Sequence, residues 1–150
     1  MIIRDAKPEE IVEVMDLCRQ ALAASAYAGL PEDTPVAQRV LMHCIGSPSQ
    51  FCQVIEMDGK LEGILVGNVE KVWHSTKKQA SDLVFFTTEK GKGGGALLAR
   101  RFLRWARSRP GVALIGMSVS YGGPNIKRTG KMLEKLGLTY VGGIYLEVQK

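Results

Sequence analysis

The sequence predicts an α/β fold of the mixed α+β kind, a central mixed sheet of six to seven strands flanked by about four helices. Three observations predict it. Runs rich in apolar and β-favouring residues alternate with segments whose apolar residues recur at helical spacing. Several strand-like runs follow one another in the middle of the chain, whereas helices and strands alternate near its end. That order predicts a sheet that is antiparallel early and parallel late, with helices on its faces. At 150 residues the chain has the usual size of one domain with one sizeable core, spanning 1–150.

"IIRDA" opens the chain as a short strand. "KPEEIVEVMDLCRQALAA" follows as a helix, with Pro8 near its start, acidic residues in its first turn, and Ile11, Met15, Cys18 and Leu22 on one face. "SAYAGLPEDTP" is a loop broken by Pro31 and Pro35, and "VAQRVLMHCIG" is a shorter helix that stops near Gly46. "FCQVIEM" and "KLEGILVGNVEKVW" form a hairpin across Asp58-Gly59, which supplies the positive φ that a two-residue turn demands. "KQASDLVFFTT" is the next strand. Beyond a glycine-rich turn, "ALLARRFLRWARS" is a helix with Leu98, Phe102 and Trp105 on one face. Gly111 to Val119 makes a buried-type strand after the breaker Pro110. "PNIKRTGKMLEKLG" is a helix ended by Gly137, and "LTYVGGIYLEV" closes the chain as one or two strands.

Hydrophobic residues make up 45% of the chain and charged residues 23%, an ordinary soluble balance. The N-terminus turns polar after three residues, which does not fit a signal-peptide core, and no apolar run approaches bilayer length. A soluble, cytoplasmic protein with no membrane partner is the expectation. Cys18, Cys44 and Cys52 sit in apolar patterns without zinc spacing, so buried, inert thiols and no metal are expected. Lys and Arg number 20 against 15 Asp and Glu, a net +5, and the basic residues concentrate in the second half. That balance favours an anionic ligand and places its site there.

"EKGKGGGALL", Glu89 to Leu98, joins a strand to a helix through four glycines. Each glycine costs about 0.8–1.0 kcal/mol relative to alanine inside a helix. The compensation is access. The first amides of a helix lack intrahelical acceptors, and the macrodipole adds positive character, so a glycine-lined entry holds phosphate. Gly93 and Gly95 clear the approach, while Lys90 and Lys92 add charge. The other reading is a flexible surface loop ahead of an ordinary helix. No Lys-Ser or Lys-Thr follows the glycines, against a Walker loop. "GKGGGA" satisfies the dinucleotide pattern G-x-G-x-x-A, but the next strand, "VALIGMSVS", lacks the acidic residue that belongs with it.

"KGKGGG", Lys90 to Gly95, resembles R/Q-x-x-G-x-G/A, the acyl-CoA pyrophosphate loop of the GNAT superfamily of N-acyltransferases, with lysine in the first position. "IIRDAKPEEIVEVMDLC" is similar to the family's opening strand and helix, "VIEMDGKLEGILVG" to its central hairpin, and "MLEKLGL" to its late F-Y-E-K-L-G-F signature. The four segments occur in the family's order and span most of the chain. "RTGKMLEKLGLTYVGGIY" is similar to the tail of small phage-encoded members. The resemblance implies a sheet splayed open at one end, with acetyl-CoA as co-substrate entering the opening. It implies acetyl transfer to a primary amine, of a small molecule or of a protein lysine or N-terminus, by direct attack in a ternary complex. It assigns Lys90, Gly91, Lys92, Gly93, Gly94, Gly95 and Ala96 to the pyrophosphate loop, and Phe85, Phe86 and Thr87 to the strand that pairs with pantetheine. Asn125 either contacts pantetheine or caps its helix.

Acyl transfer needs a held thioester, a neutral amine and a stabilised oxyanion. An alkylamine near the lysine value of about 10.4 is protonated at neutral pH, so a base must take its proton. Asp82 lies three residues before Phe85, where many relatives place a catalytic glutamate. A carboxylate beside an apolar cleft has a raised pKa suited to that task, and the competing role is an exposed or salt-bridged strand-edge aspartate. Glu56, Glu70 and His74 are secondary candidates, and His43 is structural. The family's tyrosine, which protonates the departing thiolate, falls at Leu133. Either Ser120 or Tyr121 substitutes, or no acid is needed, since a thiol of pKa about 8.5 leaves with little help.

Arg100, Arg101, Arg104 and Arg107 give one helix a basic side: a solvated face, a field for the 3′-phosphate of CoA, or a nucleic-acid stripe. The lack of interleaved aromatics and of any recognisable motif argues against nucleic acid. The alternative functions are a non-catalytic acyl-CoA-binding module and a nucleic-acid-binding module. Glu32 and Asp33 suit either a cationic acceptor or a solvated loop, and exposed late strands suit a homodimer.

Overall fold

A computed structural model describes residues 1–119 and 125–149. Its register starts at the hairpin. Asp58 and Gly59 take φ values of 52° and 75°, the paired left-handed geometry of a two-residue turn, and join β2 (Phe51–Met57) to β3 (Lys60–Lys71). β1 (Ile2–Asp5) lies antiparallel to β2, and β4 (Lys78–Thr87) antiparallel to β3. β5 (Val112–Gly116) is parallel to β4, which gives the order β1-β2-β3-β4-β5. Antiparallel pairing early and parallel pairing late follow the predicted pattern.

The helices are α1 (Ile11–Ala23), entered through a 3-10 turn at Pro8–Glu10, α2 (Thr34–Gly46), α3 (Gly95–Arg107) and α4 (Asn125–Lys135). Strand alternation assigns them to two layers. Phe51, Ile55, Leu65 and Phe85 pack with Leu98, Phe102 and Leu103 of α3 and Leu133 of α4. Cys52, Val54, Ile64 and Val66 pack on the opposite face with Val14, Met15 and Leu17 of α1 and Leu41 of α2. Each fully buried aliphatic side chain contributes about 1.5–3 kcal/mol. The predicted face of α1 is buried at Met15 and Cys18 but widens to Val14, Leu17 and Ala21, and Leu22 is exposed. Cys18, Cys44 and Cys52 are free and buried, and burial pushes the Cys18 and Cys52 thiols up to about 12, so neither is a nucleophile at neutral pH.

Two departures from the expectation concern the sheet. It has five strands among the described residues, not six to seven, because the stretch after Leu138 pairs with none of them. Gly137, at φ 98°, ends α4 as predicted, with Leu138 N–H donating to the Leu133 carbonyl at 3.1 Å and Gly137 N–H to that of Glu134 at 3.0 Å. The chain then runs out with Val141 and Tyr145 fully exposed. Its β-favouring residues meet no ladder among the described residues, with only Val148 half-buried beside Gly29, and β-propensity has force only where pairing and packing are both supplied. Second, β4 carries a bulge. Val66 pairs with Val84 but Gly67 with Asp82, which leaves Leu83 as the extra residue. Ala80 and Phe85 therefore face the α3 layer, whereas Val84 turns to the α1 layer. Gly67 has no room for a side chain, since a Cβ there would lie 2.4 Å from the Phe102 ring.

Candidate active site

β4 and β5 are paired only over Lys78–Ser81 and Val112–Gly116, and β4 then continues to Thr87. The sheet forks at Asp82, the residue after the last pair. There the side chain takes over from the ladder, and Ser118 N–H donates to Asp82 Oδ1 at 2.9 Å. A cleft of about 210 Å³ opens at this fork, between the end of α1 with its following turn and the outer part of β4. Ala21, Leu22, Ser25 and Tyr27 form one wall, Asp82 to Phe85 the other, and Ser118 closes one side. The half-buried Asp82 carboxyl retains some contact with solvent but is crowded by protein. That desolvation pushes its pKa up to about 6, against the downward pull of hydrogen bonds from the Ser118 and Asp82 amides. No cation pairs with it among the described residues, so the edge or salt-bridge role gives way to a carboxyl positioned inside a cleft.

The other candidate bases are engaged or distant. Arg4 takes Glu56 at 2.7 Å together with Glu10 at 2.5 Å. Glu70 accepts from the Asn68 amide at 2.7 Å. His74 lies in the turn after β3, edge-on to the exposed Trp73, and His43 is exposed on α2. None lines the cleft. Ser120 and Tyr121 lie outside the described residues, as does the side chain of Asn125. Leu133, at the family's tyrosine position, is 6% exposed in the α3–α4 core and faces no cleft.

β4 runs directly into the glycine turn, which forms a 3-10 turn at Gly91–Gly94 ahead of α3. Its glycines divide by role. A Cβ at Gly91 would lie 1.9 Å from the Glu62 carbonyl oxygen, and one at Gly94 would lie 2.8 Å from Ile55 Cδ1. Close packing on the β3 backbone requires a glycine at 91, whereas at Gly94 a side chain would have to displace the ends of Ile55 and Met1. Gly95 is buried, but a Cβ there meets only ordinary contacts of 3.6 Å and more. Gly93 is exposed, and a Cβ there would touch nothing within 4 Å. Only this glycine leaves the outer surface of the turn bare. Lys90, Lys92 and Ala96 are exposed beside it, and Glu89 meets Lys92 Nζ at 3.3 Å in a surface pair of little strength.

Sequence reasoning missed three contributors. Thr88 donates its hydroxyl to the Glu62 carboxylate, while its oxygen accepts Gly91 N–H at 3.2 Å. Thr88 N–H adds a bond to the Glu62 carbonyl at 3.0 Å, so the pair anchors the glycine turn to β3. A threonine three residues ahead of a helix-like turn was the available signal for Thr88. Ser118 contributes a backbone N–H, which has no signature in sequence. Of the α3 arginines, Arg101 donates to the Ile3 carbonyl at 2.9 Å and Arg107 to that of Leu136 at 3.5 Å, so the basic side is partly used within the fold.

No protein-family model and no curated protein matches the chain. Solved structures do. The acetyltransferase of GNAT family from Streptococcus pneumoniae matches with a TM-score of 0.73 at 19% identity, over 99% of this chain and 92% of that one. An aminoglycoside antibiotic 6′-N-acetyltransferase from Acinetobacter haemolyticus matches at 0.68 and 12%, over 100% and 99% of the two chains. AAC(6′)-Iy in complex with the bisubstrate analogue CoA-S-monomethyl-acetylneamine matches at 0.69 and 14%, over 99% and 97%. Identities this low carry the fold alone, but they do so along nearly the entire length of each chain. With its forked mixed sheet and a glycine turn at the end of the forking strand, this chain has the fold of the GNAT acetyltransferases.

Proposed function

We propose that the protein is an acyl-CoA-dependent N-acetyltransferase, acting as one domain on a primary amine in a ternary complex. The observation that carries this is Asp82, a carboxyl with no ion-pair partner among the described residues, in a cleft at the fork of the strand that leads into the glycine turn. The turn fits a diphosphate: Gly93 leaves its outer surface bare, the N-terminus of α3 lies behind it, and Lys90 and Lys92 flank it. Lys90 to Ala96 are its holders, and Phe85, Phe86 and Thr87 the pantetheine strand. Acetyl-CoA supplies the acyl group as a thioester.

The residues of the chain supply the rest. Asp82 accepts a proton from the incoming ammonium, and Ser118 N–H fixes the carboxylate that does so. Burial raises the Asp82 pKa to about 6, while the same apolar walls lower that of the ammonium from about 10.4, so the two approach each other. The amine nitrogen then forms a bond to the thioester carbonyl carbon and the C–S bond breaks. The second nitrogen proton offsets the charge on the departing thiolate through solvent, and the products are an amide, the free thiol and one proton released from Asp82. With Leu133 in the core, no side chain at that position protonates the thiolate, and its pKa of about 8.5 lets it leave without one. The acceptor is a primary amine; aminoglycosides are the amine acceptors named for several structural neighbours. The three free, buried cysteines suit the reducing cytoplasm.

Calorimetric titration of acetyl-CoA into the protein and into a Gly93→Glu variant tests the assignment. The carboxylate should weaken binding at least tenfold by occupying and repelling the diphosphate position. Equal affinity in the two proteins, or none in either, removes the site.

A further inference from the structure

Resting on the acetyltransferase reading, we infer that the acceptor is a primary amine carrying one positive charge on an aliphatic stem, such as an alkylamine or a lysine side chain, and not a polycation. The cleft beside Asp82 has apolar walls, in which Ala21 and Leu22 lie across from Leu83 and Val84. Among the described residues lining it, Asp82 is the single carboxylate. The acidic loop that the sequence offered as a cation attractor is engaged elsewhere. Arg19 holds Glu32 at 3.1 Å, and the Thr34 hydroxyl donates to it at 2.7 Å. Asp33 accepts Val36 N–H at 3.1 Å as the cap of α2. Neither carboxylate lines the cleft.

Charge and size point the same way. One carboxylate satisfies one ammonium, and a second ammonium carried into these walls loses its hydration with no acceptor in return. Leu22 and Leu83, 43% and 49% exposed, are covered by a methylene stem and gain nothing from a charged group. The volume of about 210 Å³ falls below the roughly 300–1,000 Å³ of pockets that enclose drug-sized ligands.

Pentylamine, 1,5-diaminopentane and neamine separate the possibilities, because the first two share a stem and differ in one ammonium. Thiol release from acetyl-CoA by the full chain gives kcat/KM for each, and calorimetry reports acetyl-CoA binding independently. Pentylamine should exceed both polycations at least tenfold. Leu22→Glu, which adds a carboxylate to the wall, should shift the preference toward the diamine by about tenfold, and Tyr27→Glu repeats the test from the following turn should the first variant fold poorly. Wild-type rates on the diamine or neamine equal to or above that on pentylamine overturn the inference and leave the transferase reading standing. Acetyl-CoA binding with no amine acetylated, or no binding at all, overturns the transferase reading and the inference with it.

Discussion

Replacing Asp82 by asparagine removes the charge and the basic oxygen but keeps an acceptor for Ser118 N–H. Two opposite effects should result. Loss of a positioned base lowers kcat by about 10²–10⁴-fold. Stability moves the other way. The Asp82 pKa rises from 3.8 to about 6, about two units at 1.36 kcal/mol each, so keeping the ionised form in the fold costs about 2–3 kcal/mol, the lower figure applying because the carboxyl is partly solvated. Between pH 3.8 and about 6 the folded state binds more protons than the unfolded state, so this contribution to stability declines as pH rises through that window and is flat above it. The variant, lacking the group, should show no such decline and should equal or exceed the wild type in Tm at pH 7.5.

Two assays check this. Thermal unfolding from pH 4 to 8 reads the stability difference, and kcat/KM over the same range reads the base. The wild-type rate should fall tenfold per pH unit below about 6, a break that the variant lacks. An asparagine variant with full rate at every pH removes Asp82 as the base. A variant that is both inactive and less stable than the wild type shows that Asp82 holds the fork together through its charge, and the desolvation argument fails.

Four further substitutions test the surroundings. Gly91→Ala should cost about 1–3 kcal/mol, because its Cβ falls 1.9 Å from the Glu62 backbone oxygen, whereas Gly93→Ala should leave Tm unchanged; urea unfolding of the pair separates packing glycine from access glycine. Thr88→Val removes the donor to Glu62 and the acceptor for Gly91 N–H, and should cost about 1–3 kcal/mol while weakening acetyl-CoA binding in calorimetry. Leu133→Tyr restores the residue type usual in the family signature, but the position is inside the core; it should lose about 1–3 kcal/mol to overpacking with no gain in kcat.

The features legible in the sequence were those specified locally. Asp58-Gly59, the helix-ending Gly137 and the periodic face of α3 each depend on neighbours within a few residues, and the structure bears them out. The features that were not legible arise between distant segments. The Leu83 bulge sits beside Gly67, whose missing side chain answers to Phe102 on another element. Thr88 meets Glu62 across two strands, and Ser118 acts through a main-chain N–H that any residue but proline would supply. The glycine turn was legible as a feature but not in its division of labour. Composition shows four glycines together, whereas only the packed sheet distinguishes Gly91 and Gly94, pressed on Glu62 and Ile55, from Gly93, pressed on nothing. The final segment failed for the opposite reason, since its strand-like residues carried propensity without a ladder partner among the described residues.

The fork and the proposed base involve one residue, and there is a physical reason for that. Opening a parallel pair leaves main-chain groups without ladder partners, and a polar side chain at the point of divergence must meet them. A short carboxylate on the first residue past the last pair can do so: Asp82 reaches the Ser118 amide where continued pairing would otherwise have closed the gap. The gap it terminates is walled by Leu22, Leu83 and Val84, so the residue just past the ladder is desolvated by the cleft that results. A raised pKa is then a consequence of how the sheet opens, not a separate feature added to it. The bulge at Leu83 works in the same direction, since it reverses the alternation immediately after Asp82 and turns Phe85 back toward the α3 core beneath the glycine turn. Strand geometry thus sets the acidity of the group and the distance along β4 to the diphosphate cradle together, and a change in either is expected to disturb the other.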